Sequence, residues 1–252
     1  MGRCQPGRRA CSAEVASIVA RMVLGQVIQW SFITQQWSQI QADLLQHIAL
    51  TFIAVGLGLL IAVPLSLLAW RFPITRGPLV GVASGFYIIP SLALFAIIGP
   101  VTGFVASYPT AEIALVGYTL LILMWNTLAG LAAVPADARE ASVALGYSRR
   151  ATLFRVELPL ALPYIFAGLR VATSTVVGLV TVTSLIGLGG LGQLIIYGFN
   201  TDYYTPIIVG LVFSVALAAL CDLAWVGAER VAVPWSRTSR TSRTSRRLAV
   251  QA

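Results

Sequence analysis

The sequence contains no lysine; all 17 of its basic side chains are arginine. Without lysine there is no P-loop, hence no ordinary ATP-hydrolysing site, and no Schiff-base chemistry. A single histidine, His47, excludes multi-histidine metal sites and leaves one candidate base for any catalytic triad. No G-x-S-x-G sequence occurs. The three cysteines form no framework: Cys4 and Cys11 lie in a polar N-terminal stretch and Cys221 in an apolar one. Charge is scarce too. Only 10% of the 252 residues are charged and 58% are hydrophobic, whereas soluble domains carry about a quarter charged. So few charges cannot cover a soluble globule of this size, which makes a bilayer the natural solvent. The length allows about five or six spans of ~20 residues with short loops.

What is present divides cleanly along the chain. Residues 1–21 are polar and basic, and Glu14 interrupts the weakly apolar stretch that follows, so no signal-peptide core is formed. They read as a disordered leader, with Met22 an alternative initiator. Residues 22–46 mix Trp30, Phe32 and Trp37 with six glutamines from Gln26 to Gln41. That mixture makes a spanning helix costly and predicts an amphipathic helix lying in the interface. A membrane domain follows over 47–230, with apolar spans at about 48–70, 79–105, 111–134, 166–188 and 206–228. An all-α membrane protein with a five-span core is expected, because lipid-exposed backbone must satisfy its own hydrogen bonds. Residues 231–252 repeat Arg-Thr-Ser and read as a disordered tail near anionic headgroups.

Arginine sets the expected orientation. With the 135–165 loop in the cytoplasm, Arg71, Arg76, Arg139, Arg149, Arg150, Arg155, Arg230 and the tail arginines all lie inside, and so does the C-terminus. The loops at 106–110 and 189–205 then lie outside and hold no arginine, as the positive-inside rule requires. The four arginines of the leader are the discordant group. They would move inside if 22–46 spanned.

The 135–165 loop holds most of the charge of the core. Pro135 suits a first helical turn, and Asp137 and Glu140 sit near the positive end of that helix. Gly146 fits a left-handed stop, Ser148 can cap a second helix, and Pro159 is expected to end it. The pattern predicts two short helices at an angle, with Ala138, Ala141, Ala144 and Leu145 forming a small apolar face for another protein. Fixed between two spans, such a pair is a lever.

The stretch Glu140-Ala141-Ser142, then Gly146, then Val156-x-Leu158-Pro159 resembles the EAA loop of bacterial ABC importer permeases. Ser142 replaces a second alanine of that pattern and Val156 an isoleucine. Three further segments resemble the osmoprotectant branch of that family, whose substrates are glycine betaine, carnitine and choline. They are Ile89–Leu94 (IPSLAL), Asn126–Leu131 leading to Val134-Pro135, and Leu185–Gly192 (LIGLGGLG). Methionine and other small-solute permeases share much of this pattern. The resemblance implies that Glu140, Ala141, Ser142, Gly146, Val156, Leu158 and Pro159 dock into a cytoplasmic ABC ATPase dimer. ATP and magnesium would be bound there, with no cofactor on this chain. It also implies a second permease copy or paralogue and an external solute-binding protein, all at a bacterial cytoplasmic membrane and without nucleic acid.

Other signals carry less. Gly187-x-Gly189-x-x-Gly192 matches a dinucleotide fingerprint formally, but it follows a span where a soluble βαβ unit is required. A close-packed or re-entrant turn is expected instead. Pro90 and Ser91 interrupt the second span at mid-depth, and broken helices can line solute paths. Thr181 and Ser184 are candidates for the same path, although helix packing explains hydroxyls in a span equally well. Arg170 and Asp222, at similar depth in the last two spans, are expected to form a structural ion pair. His47 is expected to be an interfacial, solvated residue, and Tyr197, Phe199, Tyr203 and Tyr204 an aromatic belt. A stand-alone secondary transporter would call for inverted repeats and more spans; a scaffold would not need the long loop.

Overall fold

The computed structural model describes residues 29–103 and 107–237. The leader at 1–21, the first part of the expected interfacial helix, residues 104–106 and most of the arginine-rich tail lie outside the described residues. Within them the chain is helical: α1 Trp30–Gln35, α2 Trp37–Arg71, α3 Pro73–Ile88, α4 Ser91–Thr102, α5 Tyr108–Ala132, α6 Ala136–Ala144, α7 Arg149–Thr152, α8 Leu158–Thr183, α9 Gly192–Asn200 and α10 Tyr204–Ala232. A π-helical turn, Leu153–Glu157, joins α7 to α8, so helix runs without a break from Arg149 to Ile186.

Four helical runs are long and apolar enough to cross a membrane: α2, α5, Arg149–Ile186 and α10. The fifth expected crossing is the pair α3 and α4, bent by 108° at Ile89–Pro90. Pro90 cannot donate a backbone hydrogen bond, and Ile89 is held extended before it (φ −66°, ψ 128°). Tyr118 on α5 donates its hydroxyl to the Ile89 carbonyl, which satisfies one group freed by the break. The pair starts beside the last turn of α2 and leads to α5, whose first residue, Tyr108, accepts from Gln46 near the start of α2. It therefore carries the chain from one end of the bundle to the other.

The core lies where α5 meets α2 and α8, around Leu115, Leu123, Met124, Ala54, Ala62, Ala172 and Val176. Small residues let the backbones close. A Cβ on Gly130 of α5 would stand 2.7 Å from Tyr164 Cβ on α8, so only glycine fits that crossing.

Two boundaries differ from the sequence expectation. Residues 37–46, expected in a separate interfacial helix, are the first three turns of α2, which at 35 residues is about 50 Å long. No proline or glycine interrupts 37–55, and the polar residues there are housed by the segment after α8. Pro159 does not end a helix. The Leu158 N–H reaches back to the Leu153 carbonyl, and this widened turn passes the proline into the second position of α8.

Candidate functional site: the helix pair at one end of the bundle

The loop that the sequence singles out is built as a stop, a cap and a clamp. The stop is Gly146 at φ +80°. The Tyr147 N–H bonds the Ser142 carbonyl (3.0 Å) and the Gly146 N–H bonds the Val143 carbonyl (2.9 Å). This is the Schellman pattern that ends a helix at a left-handed glycine. The cap is Ser148, whose hydroxyl accepts from the Ala151 N–H at 3.3 Å.

The clamp centres on Glu157, which is 8% exposed. Its carboxylate accepts from Arg139 Nε at 2.7 Å and from Trp70 Nε1 at 3.2 Å. The Arg139 guanidinium lies 5.3 Å from the Trp70 ring centre and donates a further bond to the Leu131 carbonyl. One cluster thus joins the end of α2, the end of α5, helix α6 and the π-turn into α8. Charge-assisted bonds of this kind are stronger than neutral ones. The sequence pattern leaves Glu157 unspecified, as the residue between Val156 and Leu158. Its signal there is its place as an acid among apolar residues just before a span. Arg139, which the sequence offers only as one of the arginines that set orientation, is the cation of this clamp.

The motif residues separate by exposure. Glu140, Ala141, Val143 and Leu145 point away from the bundle, and Gly146 has open space around it. Ser142 is turned inward. Its hydroxyl donates to the Arg139 carbonyl (2.7 Å) and lies 3.1 Å from Thr152 Oγ1, stitching α6 to α7. Val156, Leu158 and Pro159 are half-buried at the root of α8. Beside the clamp a cleft of about 300 Å³ opens between Trp70, Arg71, Val143, Tyr147 and Arg149.

The remaining sequence candidates are scattered. Arg170 and Asp222 meet in a bidentate pair, Nε to Oδ1 at 2.6 Å and Nη2 to Oδ2 at 3.0 Å, linking α8 to α10. Pro90 is exposed at the bend and Ser91 half-buried. Ser184 is buried, with its hydroxyl donated to the Gly189 carbonyl at 3.3 Å, and Thr181 bonds the Gly178 carbonyl. Among the described residues no hydrogen bond joins Pro90 or Ser91 to Thr181 or Ser184.

At the far end the glycine segment turns back over α2, with Gly187 and Gly190 at φ +79° and +93°. His47, expected to be solvated, is wholly buried beneath it. The Leu191 N–H donates to Nδ1 (3.3 Å), which leaves Nε2 to carry the proton and donate to the Val177 carbonyl (3.1 Å). The histidine thus ties three chain segments together.

Several helices long and apolar enough to cross a bilayer, packed as one bundle, define an integral membrane protein. Residues 54–226 match the family described as the binding-protein-dependent transport system inner membrane component, and the chain belongs to that family. It is therefore an integral inner-membrane permease subunit of an ABC transporter and not an enzyme; ATP hydrolysis falls to a separate chain. Similar proteins include the choline transport system permease protein OpuBB of Bacillus subtilis. That relative is 37% identical over 189 residues, covering 75% of this chain and 86% of its own. Another is the osmoprotectant import permease protein OsmW of Salmonella typhimurium, 34% identical and covering 70% and 84%. An inward-facing methionine ABC transporter, MetNI, shares the fold. Its TM-score is 0.67 at 22% identity, over 77% of this chain and 95% of that one.

Proposed function

We propose that the chain forms the translocation path of an ATP-driven importer for a quaternary-amine osmoprotectant such as glycine betaine, carnitine or choline. The relatives named for choline and osmoprotectant transport support the solute class. The partners are a cytoplasmic ABC ATPase dimer carrying ATP and magnesium, a second permease copy or paralogue, an external solute-binding protein and the lipid of a bacterial cytoplasmic membrane. The C-terminus and the 135–165 loop are cytoplasmic.

One observation carries the mechanism: the helix pair is continuous with α8 and is clamped through Arg139 and Glu157 to the ends of α2 and α5. An ATPase that moves α6 must move three spans with it. Glu140 and Ala141, on the exposed face of α6, meet the ATPase. Gly146 sets the angle of the pair, and Ser142, Val156, Leu158 and Pro159 transmit the push. The bend at Pro90 and Ser91, with Thr181 and Ser184, belongs to the solute path, and Arg170 with Asp222 holds α8 to α10.

Reconstitution tests this. Vesicles containing the chain with its ATPase and binding protein concentrate labelled betaine in the presence of ATP. The chain alone does not, and concentrative uptake by it alone overturns the assignment. Single cysteines at Ser148 and Thr201 in a cysteine-free background report orientation: an impermeant maleimide labels Thr201→Cys in intact cells and spares Ser148→Cys. Glu140→Ala keeps membrane abundance but weakens ATPase co-purification, because truncating a buried polar contact costs about 2–5 kcal/mol of binding.

A further inference from the structure

At the end of the bundle away from the helix pair, a cleft of about 250 Å³ lies between α1, the first turns of α2 and α9. Phe32 and Tyr197 stack along it with ring centres 6.4 Å apart and planes 15° apart. Asp43 lines it and is only 3% exposed. Its Oδ1 accepts from Gln39 Nε2 at 3.0 Å, while its buried Oδ2 has no partner. Gln193, also in the lining, spends an amide N–H on the Leu188 carbonyl. Among the described residues no arginine lines the cleft.

An unpartnered buried carboxylate oxygen costs free energy unless something satisfies it. Among the described residues Asp43 has no cation partner. Every arginine among the described residues lies toward the clamp or, as Arg170, within the bundle, whereas the acids Asp43, Glu112 and Asp202 stand toward the cleft end. The local field there favours cations. Aromatic rings and a carboxylate lining one cleft favour a particular kind: a weakly hydrated organic cation that gains from ring quadrupoles, rather than a small metal ion that demands several oxygens. A volume of this size suits a ligand smaller than a typical drug.

We infer that this cleft is a binding site for a small quaternary ammonium cation, with Asp43 as counter-ion and Phe32 and Tyr197 as the aromatic wall. The choice of cation rests on the function proposed above; the existence of the site rests on the geometry. The cleft lies against the glycine segment that covers His47, since Gln193 and Leu194 follow that segment directly. An occupied cleft therefore bears on the same turn that joins α2 to α8.

The test is equilibrium dialysis of labelled choline against the full chain in lipid nanodiscs. The competitor is dimethylbutanol, the neutral isostere with carbon in place of nitrogen. Wild-type protein should bind choline saturably, and dimethylbutanol should not displace it. Asp43→Asn and Tyr197→Leu should each weaken binding by roughly tenfold or more while eluting as monodisperse protein. Tyr197 is half exposed, so its replacement leaves the fold intact. Absence of saturable binding, equal displacement by dimethylbutanol, or unchanged affinity in both variants overturns the site. Uptake by the assembled importer, measured in parallel, separates the two readings. Uptake of quaternary amines without binding at the cleft sinks the site alone. Asp43-dependent binding by a chain whose assembled importer takes up no quaternary amine sinks the solute assignment alone.

Discussion

The cluster around Glu157 and the cluster around His47 tie together the same two spans, α2 and α8, at opposite ends and by different chemistry. Around Glu157 the bonds involve a carboxylate, a guanidinium and an indole, and they gather four segments at once. Around His47 the bonds are neutral: an imidazole between two backbone groups, and Gln46 accepting from the Gly190 N–H. Charge-assisted bonds are roughly twice as strong as neutral ones. The far end also leaves polar groups unpaired, among them Asp43 Oδ2, Thr51 Oγ1 and both carboxylate oxygens of Glu112. The difference teaches where a lever should be stiff. The end that holds the helix pair is tied by charge, and the far end keeps buried polar groups unpaired.

The strongest way to break this contrast is Glu157→Ala. It leaves Arg139 and Trp70 without their acceptor. Removing one partner of a buried pair costs about 3–5 kcal/mol, discounted here to about 2–4 because Arg139 is a third exposed. Thermal unfolding in detergent should shift down and uptake should vanish. Replacing Arg139 and Glu157 together by methionine sharpens the point: stability should recover while uptake stays low. Recovery of both would show that the clamp only stabilises.

Next in size is His47→Ala, which strands the buried Leu191 N–H and removes the tie to the Val177 carbonyl at a cost of about 1–3 kcal/mol. The loss should appear as earlier unfolding and faster proteolysis at 187–192, with ATPase co-purification unchanged. Lost co-purification would mean that the two ends are not separate units. Gly146→Ala is smaller, about 1 kcal/mol of left-handed strain. Nothing crowds its position, so the cost is conformational alone. Membrane abundance should hold while co-purified ATPase falls, and wild-type values for both would remove Gly146 from the coupling role. The least effect is expected from Arg155→Ala. Among the described residues Arg155 forms no ion pair and lies 6.0 Å from the Tyr147 ring centre, and uptake should change less than twofold, in keeping with an exposed cation–π contact of about 0.5–1 kcal/mol.

Much of this was legible beforehand because its causes are local. The apolar runs define a helical membrane subunit, since hydropathy and hydrogen-bond satisfaction act segment by segment. Gly146 and Ser148 announced their stop and cap through backbone preferences alone. The break at Pro90 was equally visible, since a proline acts on its own neighbours.

Other features needed the three-dimensional packing because their partners lie far away in sequence. Glu157 looks like an incidental residue until Trp70, 87 positions earlier, donates to it. His47 looks solvated until the glycine segment, 144 positions later, closes over it. Pro159 reads as a helix end, yet a π-turn carries it into α8, a choice that favours one continuous rod tied to the clamp. The sequence by itself determined the class of protein and the local shape of the loop. The tertiary structure decided which polar side chains are joints and which, like Asp43, were left with a vacant oxygen. Burial and pairing are properties of neighbours, and only the fold chooses the neighbours.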